Sequence, residues 1–390
     1  MSWREFALEQ LIDLHDHRRI PLSGVEREKR QGAYRYFGAQ GVIDHIDAFI
    51  FDGEYVLVAE DGENLRSRKQ PIAQIVSGQF WVNNHAHILT GKVGVSNSAF
   101  ICALLNWLDL GPYITGAAQP KLSQGSLKSI KVKAPDAETQ AQIAAVLSEY
   151  DALIATNQRR IVLLEEAARR LYRDWFVHLR FPGHETVKVV DSVPEGWRRI
   201  PLGDLAEIIM GQSPDSKFYN EDGEGLPFHQ GVSDFGDRFV THRTYTTQAT
   251  RIGEGGDILC SVRAPVGRLN VSRDRIAIGR GLSAMRSRDG NQSLLFYQLK
   301  HHFVQEDMIG GGAIFASVAK KELFGQEMLQ PTADIATEFD RLAVAYDRQI
   351  DALELQCRAL AKARDALLPK LMSGQLDVSN IRVLDAAQAA

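Results

Sequence analysis

The sequence contains one helical pattern twice, and the second copy lies 196 positions after the first. Pro135 matches Pro331 at the start of the two runs, and no gap interrupts the register that follows. A second repeat is offset by 194 positions, where Trp3-Arg4 matches Trp197-Arg198. The order of segments is therefore globular, helical, globular, helical. We expect such a chain to hold two similar units at a fixed separation.

The two helical runs each carry an apolar seam with alternating spacings of four and three residues, which is typical of helices that wind around each other. Each run spans just over four heptads, so each helix should be roughly 50 Å long. Two matching seams in one chain favour pairing within the chain, and a coiled coil between copies is the alternative. The seam positions are Ile143, Leu147, Tyr150, Ile154, Asn157, Ile161, Leu164 and Leu171, and then Phe339, Tyr346, Ile350, Leu353, Leu360 and Leu367.

One seam position is polar in the first copy and apolar in the second. Asn157 stands where Leu353 stands in the other run. A polar residue at such a position usually fixes the register or the orientation of the helices at some cost in stability. The alternative is that Asn157 faces solvent where the seam opens.

The globular segments mix strand-like runs with turns, so the sequence predicts an α+β protein. Asp52-Gly53 between two apolar runs indicates a β-hairpin turn. Gly310, Gly311 and Gly312 are expected to form a flexible joint rather than a phosphate loop, because no strand and Lys-Ser/Thr pair flank them. The expected boundaries are 1–134 for the first domain, 135–185 for the first helix, 186–330 for the second domain, 331–376 for the second helix and 377–390 for a tail.

Composition indicates an ordinary soluble protein, because 44% of the residues are apolar and 24% are charged. The N-terminus lacks the layout of a signal peptide, and the longest apolar stretch is too short to cross a bilayer. Three cysteines without CxxC spacing favour a reduced, cytoplasmic protein with neither disulfides nor a zinc site. The net charge of −4 excludes only a wholly basic surface, since seven arginines and one acid occupy the window from Arg263 to Arg288.

Several short segments, in order along the chain, resemble the specificity subunit of type I restriction–modification systems. The likeness covers nearly the whole chain, and the order of the segments across two repeats is more specific than any one of them. These segments are 38–43 (GAQGVI), 52–62, 80–86 (FWVNNHA), 211–214 (GQSP), 261–267 (SVRAPVG), 278–281 (IGRG) and 367–374 (LLPKLMSG).

The resemblance implies a non-catalytic subunit whose two target-recognition domains each bind one half of a bipartite DNA sequence. An antiparallel pair formed by the two long helices, with pseudo-twofold symmetry, would set the gap between the half-sites. The same helices would dock two modification subunits, which bind S-adenosylmethionine and methylate adenine. Two restriction subunits that use ATP and Mg²⁺ can then join, so this chain itself is expected to bind no cofactor and no metal. Because the globular segments have few residues in common, an asymmetric target is expected rather than a palindrome.

Candidate DNA-binding residues are polar or basic and lie within or beside these segments. Arginine suits this role because its guanidinium group can bind guanine or a phosphate through two hydrogen bonds. The alternatives are ion pairs for the arginines, hydrogen bonds within loops for the amides and Ser213, and a solvated loop for the basic run at 66–69. The candidates are Arg66, Arg68, Lys69, Asn83, Asn84 and His85 in the first domain, and Gln212, Ser213, Gln230, Arg263, Arg268 and Arg280 in the second.

Two other classes of function remain as alternatives. A self-sufficient DNA-modifying enzyme would need an Asn/Asp-Pro-Pro-Tyr/Phe segment, a Walker-type Gly-Lys-Ser/Thr or an Asp…Glu-x-Lys cluster, and the sequence shows none of these. A coiled-coil adaptor protein without DNA binding would account for the seams but not for the two domains. His85 and His87 share one strand face, but two histidines without a clear third ligand make a poor zinc site.

Overall fold

The computed structural model describes residues 3–305 and 317–378, and the expected joint at Gly310–Gly312 and most of the expected tail lie outside these ranges. The chain divides into two compact units. The first unit comprises Met1–Asn157 and Leu355–Ala390, and the second comprises Gln158–Glu354. Each unit therefore contains one globular segment together with parts of both long helices. Helices and sheets coexist in both units, which confirms the expected α+β class.

The first unit begins with a globular segment that packs against its own helices. Its elements are β1 (Arg4–Ala7), β2 (Ile12–Leu14), α1 (Gly24–Glu28), β3 (Gln31–Gly38), β4 (Gly41–Ile46), β5 (Phe51–Ala59), α2 (Asn64–Ser67), β6 (Ala73–Val82), β7 (Ala86–Gly91), α3 (Ser98–Trp107), α4 (Gln124–Ser129), β8 (Lys131–Ala134) and α5 (Ala137–Tyr172), whose residues 158–172 belong to the second unit.

Six of these strands form one sheet in the order β2-β7-β5-β6-β3-β4. The expected hairpin turn at Asp52-Gly53 is wrong, because β5 runs through both residues and stays paired with β6. Gly53 faces Gly78 in that pairing, and both glycines have positive φ angles (122° and 89°). Since glycine adopts such angles without steric cost, the strands can bend here and remain paired.

The second unit contains a larger number of short strands. Its elements are β9 (Val189–Val190), β10 (Val193–Pro194), β11 (Arg198–Pro201), α6 (Leu202–Leu205), β12 (Ala206–Met210), β13 (Tyr219–Asn220), β14 (Leu226–His229), β15 (Tyr245–Thr246), β16 (Ile252–Gly253), β17 (Ile258–Ser261), β18 (Leu269–Val271), β19 (Ile276–Ile278), β20 (Leu282–Ser287), α7 (Gln292–Gln305), α8 (Lys320–Phe324), β21 (Glu327–Gln330) and α9 (Ala333–Met372), whose residues 355–372 belong to the first unit.

Two sheets dominate the second unit. One has the strand order β12-β20-β17-β18 and the other β13-β15-β14-β19-β16. All four residues of β17 are buried, which agrees with the continuous apolar run at this position in the sequence. A separate core forms where the apolar faces of the helices meet the globular segment, and it includes Tyr172, Trp197, Phe339 and Ala343.

The long helices run antiparallel within the first unit. The amide of Asn157 donates to Gln356 (3.3 Å), and Arg364 forms an ion pair with Asp151 (2.5 Å). Lower residue numbers on α5 thus lie beside higher residue numbers on α9, which means that the two helices run in opposite directions. Asn157 is only 8% exposed, so its polar group is directed at the other helix and not at solvent.

Within the second unit the helices pair in the same antiparallel sense. The rings of Tyr172 and Phe339 lie 6.0 Å apart, and Glu165 and Asp347 both bind the guanidinium group of Arg238 (2.7 and 2.5 Å). All fourteen seam positions predicted from the sequence are buried or half-buried. Each unit thus contains its own antiparallel contacts between the two helices.

The repeat extends into the globular segments. Strand β1 pairs with β8, and β11 pairs with β21; the registers are Arg4 with Ala134 and Arg198 with Gln330. The offset of 194 positions relates β1 to β11, and the offset of 196 positions relates their partner strands β8 and β21. The two repeats in the sequence therefore describe the same strand pair. Helices α3 and α7 and helices α4 and α8 also occupy equivalent positions in the chain. The globular segments share this framework although few of their residues are identical.

Arg238 is expected to control the stability of the second unit. Its side chain is 6% exposed and binds acids on α5 and α9, so Arg238→Ala would remove the cation that joins the half-buried Glu165 and Asp347. Removing one partner of a buried ion pair costs about 3–5 kcal/mol in the free energy of unfolding. Urea denaturation followed by tryptophan fluorescence would measure the loss.

The matched control is Arg275→Ala, since the side chain of Arg275 is 60% exposed and its ion pair with Glu254 is also on the surface. Such surface substitutions usually change stability by less than about 0.5 kcal/mol. Equal unfolding midpoints for the two variants would contradict a stabilising role of the Arg238 ion pairs.

Candidate nucleic-acid interface

Four loops of the second unit meet at one place beside the ends of its strands. They follow β12, follow β14, connect β17 to β18, and connect β19 to β20. Backbone hydrogen bonds join them: Gly211 donates to Leu282 (2.9 Å), Gly281 to Gln230 (3.1 Å) and Val262 to Gly281 (2.9 Å). Segments that are far apart in the sequence therefore form one continuous loop cluster.

Glycines allow these loops to approach one another closely. A Cβ atom at Gly211 would lie 2.1 Å from the carbonyl oxygen of Gly279, and one at Gly281 would lie 2.5 Å from that of Gln230. Side chains at these positions would separate the loops. The glycines of the IGRG and GQSP segments thus bring one loop against another, a role that the sequence pattern does not reveal.

Three of the predicted polar residues are joined within the loop cluster. The hydroxyl of Ser213 donates to the side-chain oxygen of Gln230 (2.9 Å) and accepts from the backbone N–H of Arg280 (3.2 Å). Gln212 lies in the same loop as Ser213, and Gln212, Gln230 and Arg280 are exposed. Ser213 therefore orients the loop, whereas the amide and guanidinium groups around it face solvent.

The structure divides the seven arginines of the window 263–288 into two classes. Acids or a backbone carbonyl bind four of them: Arg273 contacts Asp351 and Glu354, Arg275 contacts Glu254, Arg286 contacts Asp257, and Arg288 donates to Gly203. Among the residues that the structure describes, no side chain pairs with Arg263, Arg268 or Arg280, and all three are exposed. These three are the arginines that the sequence segments single out.

A buried histidine pair lies directly behind the loop cluster. His229, which precedes Gln230, shares a hydrogen bond with His242 (2.9 Å), and His242 contacts Asp274 (3.0 Å). Burial of His229, together with the charge of His242, holds the pKa of His229 well below its usual range. The sequence offers no signal for this pair, because the two histidines are ordinary loop and strand residues until the fold joins them.

In the first unit, two of the predicted basic residues bind backbone carbonyls of their own unit. Arg66 donates to Gly116 and Ala117 (2.5 and 2.9 Å), and Arg68 donates to Leu108. Burial lowers the pKa of Arg68. Lys69 is exposed. In the part of the chain that the structure describes, Lys69 has no ion-pair partner, whereas the two arginines of the run 66–69 hold neighbouring loops together.

In the Asn-Asn-His segment between β6 and β7, two of the three side chains form hydrogen bonds within the described structure. Asn83 is buried, and its side-chain oxygen accepts from the backbone N–H of His85 (2.8 Å). The ring of His85 contacts Asp61 (2.7 Å). Asn84 is exposed; Arg19 donates to its backbone carbonyl (3.4 Å), and its side chain has no hydrogen-bond partner within the described part of the chain. Asn84 is thus the residue of this segment that can contact a ligand without losing an internal bond.

A cluster of buried titratable groups lies next to this segment, where Asp16, Glu60 and His87 place ligand-type atoms within 4.8 Å of one another. Arg19 binds Glu60 (2.6 Å) and Asp16 (3.2 Å), and Lys121 binds Glu60 (3.3 Å). Burial opposes ionisation of Asp16, but the hydrogen bond with His87 and the charge of Arg19 lower its pKa overall. Cationic side chains of the protein already neutralise these carboxylates, so the cluster is an ion-pair network.

The described residues include no helix that is long and apolar enough to cross a membrane.

Residues 1–166 match the family described as type I restriction modification DNA specificity domain. The MjaX specificity subunit of a type I restriction enzyme from Methanocaldococcus jannaschii is 33% identical over 266 residues, which cover 67% of this chain and 62% of the relative. The specificity subunit S.HindORF215P from Haemophilus influenzae is 26% identical over 280 residues, which cover 69% of this chain and 67% of the relative. The chain thus aligns with about two thirds of the length of these relatives.

A solved structure extends the likeness to nearly the whole chain. The S subunit of a type I restriction–modification system from M. genitalium has a TM-score of 0.67 and 14% sequence identity, and the match covers 95% of this chain and 96% of that one. At this identity the likeness shows the fold alone. The chain therefore shares the fold of that subunit.

His229 is expected to make the second unit less stable in acid. Its folded-state pKa is lowered, so between its usual value near 6.5 and pH 5 the unfolded chain binds more protons than the folded chain. The free energy of unfolding should therefore rise with pH in this window, by up to about 1.4 kcal/mol per pH unit. Denaturation midpoints of the wild type and His229→Gln between pH 5 and 7 would show a flatter slope for the variant.

The exposed His17 provides the control, and His17→Gln should keep the wild-type slope. A slope that is the same in all three proteins would contradict a neutral, buried His229.

Proposed function

We propose that the chain is the DNA-recognition subunit of a type I restriction–modification complex. The match of residues 1–166 to the type I restriction modification DNA specificity domain family confirms the resemblance found in the sequence and supports this proposal. In this proposal the chain is not itself an enzyme. It recognises a bipartite, asymmetric double-stranded target and brings two modification subunits to it. It acts in the cytoplasm, where chromosomal DNA is accessible.

The loop cluster of the second unit is the observation that carries this proposal. Arg263, Arg268 and Arg280 are exposed and have no acid partner among the described residues, although acids or a carbonyl bind the other four arginines of the same window. Free guanidinium groups bind phosphates through charge and guanine through two hydrogen bonds. Gln212 and Gln230 add amide groups that can recognise base edges beside them.

The first unit supplies the second half-site contact in this proposal. Asn84 and Lys69 are exposed, and neither side chain has a partner within residues 3–305 and 317–378, while Arg66 and Arg68 hold loops of the protein. An amide side chain can bind adenine through two hydrogen bonds, and a lysine can follow a phosphate backbone. The chemistry of the two units therefore differs, which suits two unlike half-sites better than a palindrome.

The two long helices are proposed to set the spacing and to dock the partner subunits. Helix α5 contains 36 residues and α9 contains 40, and they form antiparallel contacts in each unit. Large apolar side chains remain exposed on both: Leu153, Val162 and Leu163 on α5, and Leu355 on α9, are between 47% and 63% exposed. Exposed apolar groups on a helix are typical of a surface that a protein partner covers.

S-adenosylmethionine is proposed to bind the two modification subunits, and ATP and Mg²⁺ to bind two restriction subunits where these are present. This chain would then contribute specificity alone. Salt should weaken its binding to DNA strongly, because phosphate contacts release counterions.

Co-expression with the modification subunit of the same type I system should cause methylation of adenine at one bipartite sequence. Single-molecule sequencing of the host DNA would deliver the two half-sites and the spacer together. Expression of either chain alone is the control and should leave the DNA unmodified. Methylation without this chain, or equal binding of the assembled complex to all DNA sequences, would refute the proposal.

Shortening both helices by one heptad should shorten the spacer. Antiparallel pairing places 157–163 of α5 opposite 349–355 of α9, so removing both segments keeps the seams in register. Seven residues span about 10 Å of helix, which corresponds to about 3 base pairs. Mapping of methylated adenines should show unchanged half-sites with a shorter gap.

Deleting only 157–163 is the matched control, because it offsets one seam against the other and should prevent assembly. A double deletion that alters a half-site sequence would show that the helices do not set the spacing.

A further inference from the structure

The 196-position repeat includes two short turns in which no residue is identical. Residues 82–86 (VNNHA) connect β6 to β7, and residues 278–282 (IGRGL) connect β19 to β20. Both turns follow a strand in a parallel pair, β6 with β3 and β19 with β14, within sheets whose other pairings are antiparallel. A parallel pair at the same place in both units indicates that the turns are equivalent.

Backbone hydrogen bonds at the start of the two turns are equivalent. The N–H of Asn83 donates to Phe37 (3.0 Å), and the N–H of Gly279 donates to His229 (2.8 Å). In each case the acceptor lies on the parallel partner strand. Phe37 on β3 faces Val82, the last residue of β6, and His229 on β14 faces Ile278, the last residue of β19. The first residue of each turn is therefore held in the same way.

The ends of the turns are also equivalent. The carbonyl of His85 accepts from Glu60 (2.9 Å), and the carbonyl of Gly281 accepts from Val262 (2.9 Å). Both donors begin the loop after a central strand, β5 or β17. Since both ends are fixed, the middle residues Asn84 and Arg280 occupy the same position on the same backbone.

The neighbours of this position cannot provide equivalent contacts. Asn83 is buried, and a Cβ atom at Gly279 would lie 2.9 Å from the backbone of Gln230. His85 binds Asp61. The middle position is exposed in both turns, whereas the exposed His85 has the buried Gly281 as its counterpart. Within the described residues the side chains of Asn84 and Arg280 have no hydrogen-bond or ion-pair partner. The shared backbone thus presents one variable side chain in each unit.

We propose that Asn84 and Arg280 are the equivalent specificity-determining residues of the two units, with Arg280 recognising a guanine and Asn84 an adenine in the major groove. Arginine pairs with O6 and N7 of guanine, and asparagine pairs with N6 and N7 of adenine, each through two hydrogen bonds. The inference rests on the proposed function and adds to it which residue recognises which base in each half-site.

Substitution of each residue in the complex co-expressed with the modification subunit tests this inference. In Arg280→Ala the methylated sequence should lose discrimination at one base pair of one half-site, by roughly 5- to 150-fold. In Asn84→Ala the loss should fall on one base pair of the other half-site. Arg280→Gln should move the preference at the first of these positions from guanine towards adenine, because glutamine pairs with adenine.

Two controls separate base recognition from a general effect of charge. Arg275→Ala removes an exposed arginine that pairs with Glu254, and Lys69→Ala removes an exposed cation of the first unit. Both should leave the methylated sequence unchanged. Co-purification with the modification subunit, at wild-type yield, checks that each variant is folded.

The outcomes are distinct. An unchanged methylated sequence in Arg280→Ala overturns the inference and leaves the proposed function intact. Uniformly weaker methylation at all sites, with a smaller salt dependence of DNA binding, identifies a phosphate contact and also overturns it. If Arg280→Ala and Asn84→Ala both reduce base discrimination in the same half-site, the two turns are not equivalent. If the wild-type complex methylates no defined sequence, the proposed function fails and this inference fails with it.

Discussion

The buried guanidinium group of Arg238 is the contact on which the second unit depends most. It binds Glu165 on α5 and Asp347 on α9, and it lies 4.2 Å from the ring centre of Phe296 on α7. Burial alone would raise the pKa of Glu165, but the charges of Arg238 and Lys300 lower it overall. Because a buried charge is tolerated only when it is paired, this site fixes which faces of the helices meet the globular segment. In the first unit apolar contacts make the same attachment, among them those of Leu147 and Leu371, and Gln140 on α5 adds hydrogen bonds with Val95 and Asn97 (3.2 Å each).

Attachment to helices in a fixed register matters because recognition of DNA depends on position. The loop cluster of the second unit is built on glycine contacts and backbone hydrogen bonds, with Ser213 joining two loops. This framework leaves Arg280 exposed, and the matching framework of the first unit leaves Asn84 exposed. The chain therefore repeats a backbone and varies the side chain that it presents. Under the proposed function, this arrangement allows the target sequence to change while the fold is kept.

Local patterns were sufficient for a large part of the fold. Heptad spacing is a property of neighbouring residues, so the helices and their seams are predictable from the sequence. The hairpin at Asp52-Gly53 was wrong because tertiary pairing with Gly78 keeps that strand extended. The candidate residues show the same limit. Arg66 and Arg68 looked as available as Arg263 and Arg280, but distant carbonyls bind the first two.

The duplication, the α+β class and the segments that resemble the family can be recognised from the order of the residues alone. The folded structure is needed to tell which charges are free, because ion pairs such as Arg273 with Asp351 join residues 78 positions apart. It also decided that VNNHA and IGRGL are one turn, since their common property is a set of backbone hydrogen bonds and not a residue type. The sequence gives the type of each side chain. Whether that side chain is available to a ligand depends on the residues that folding places in contact with it.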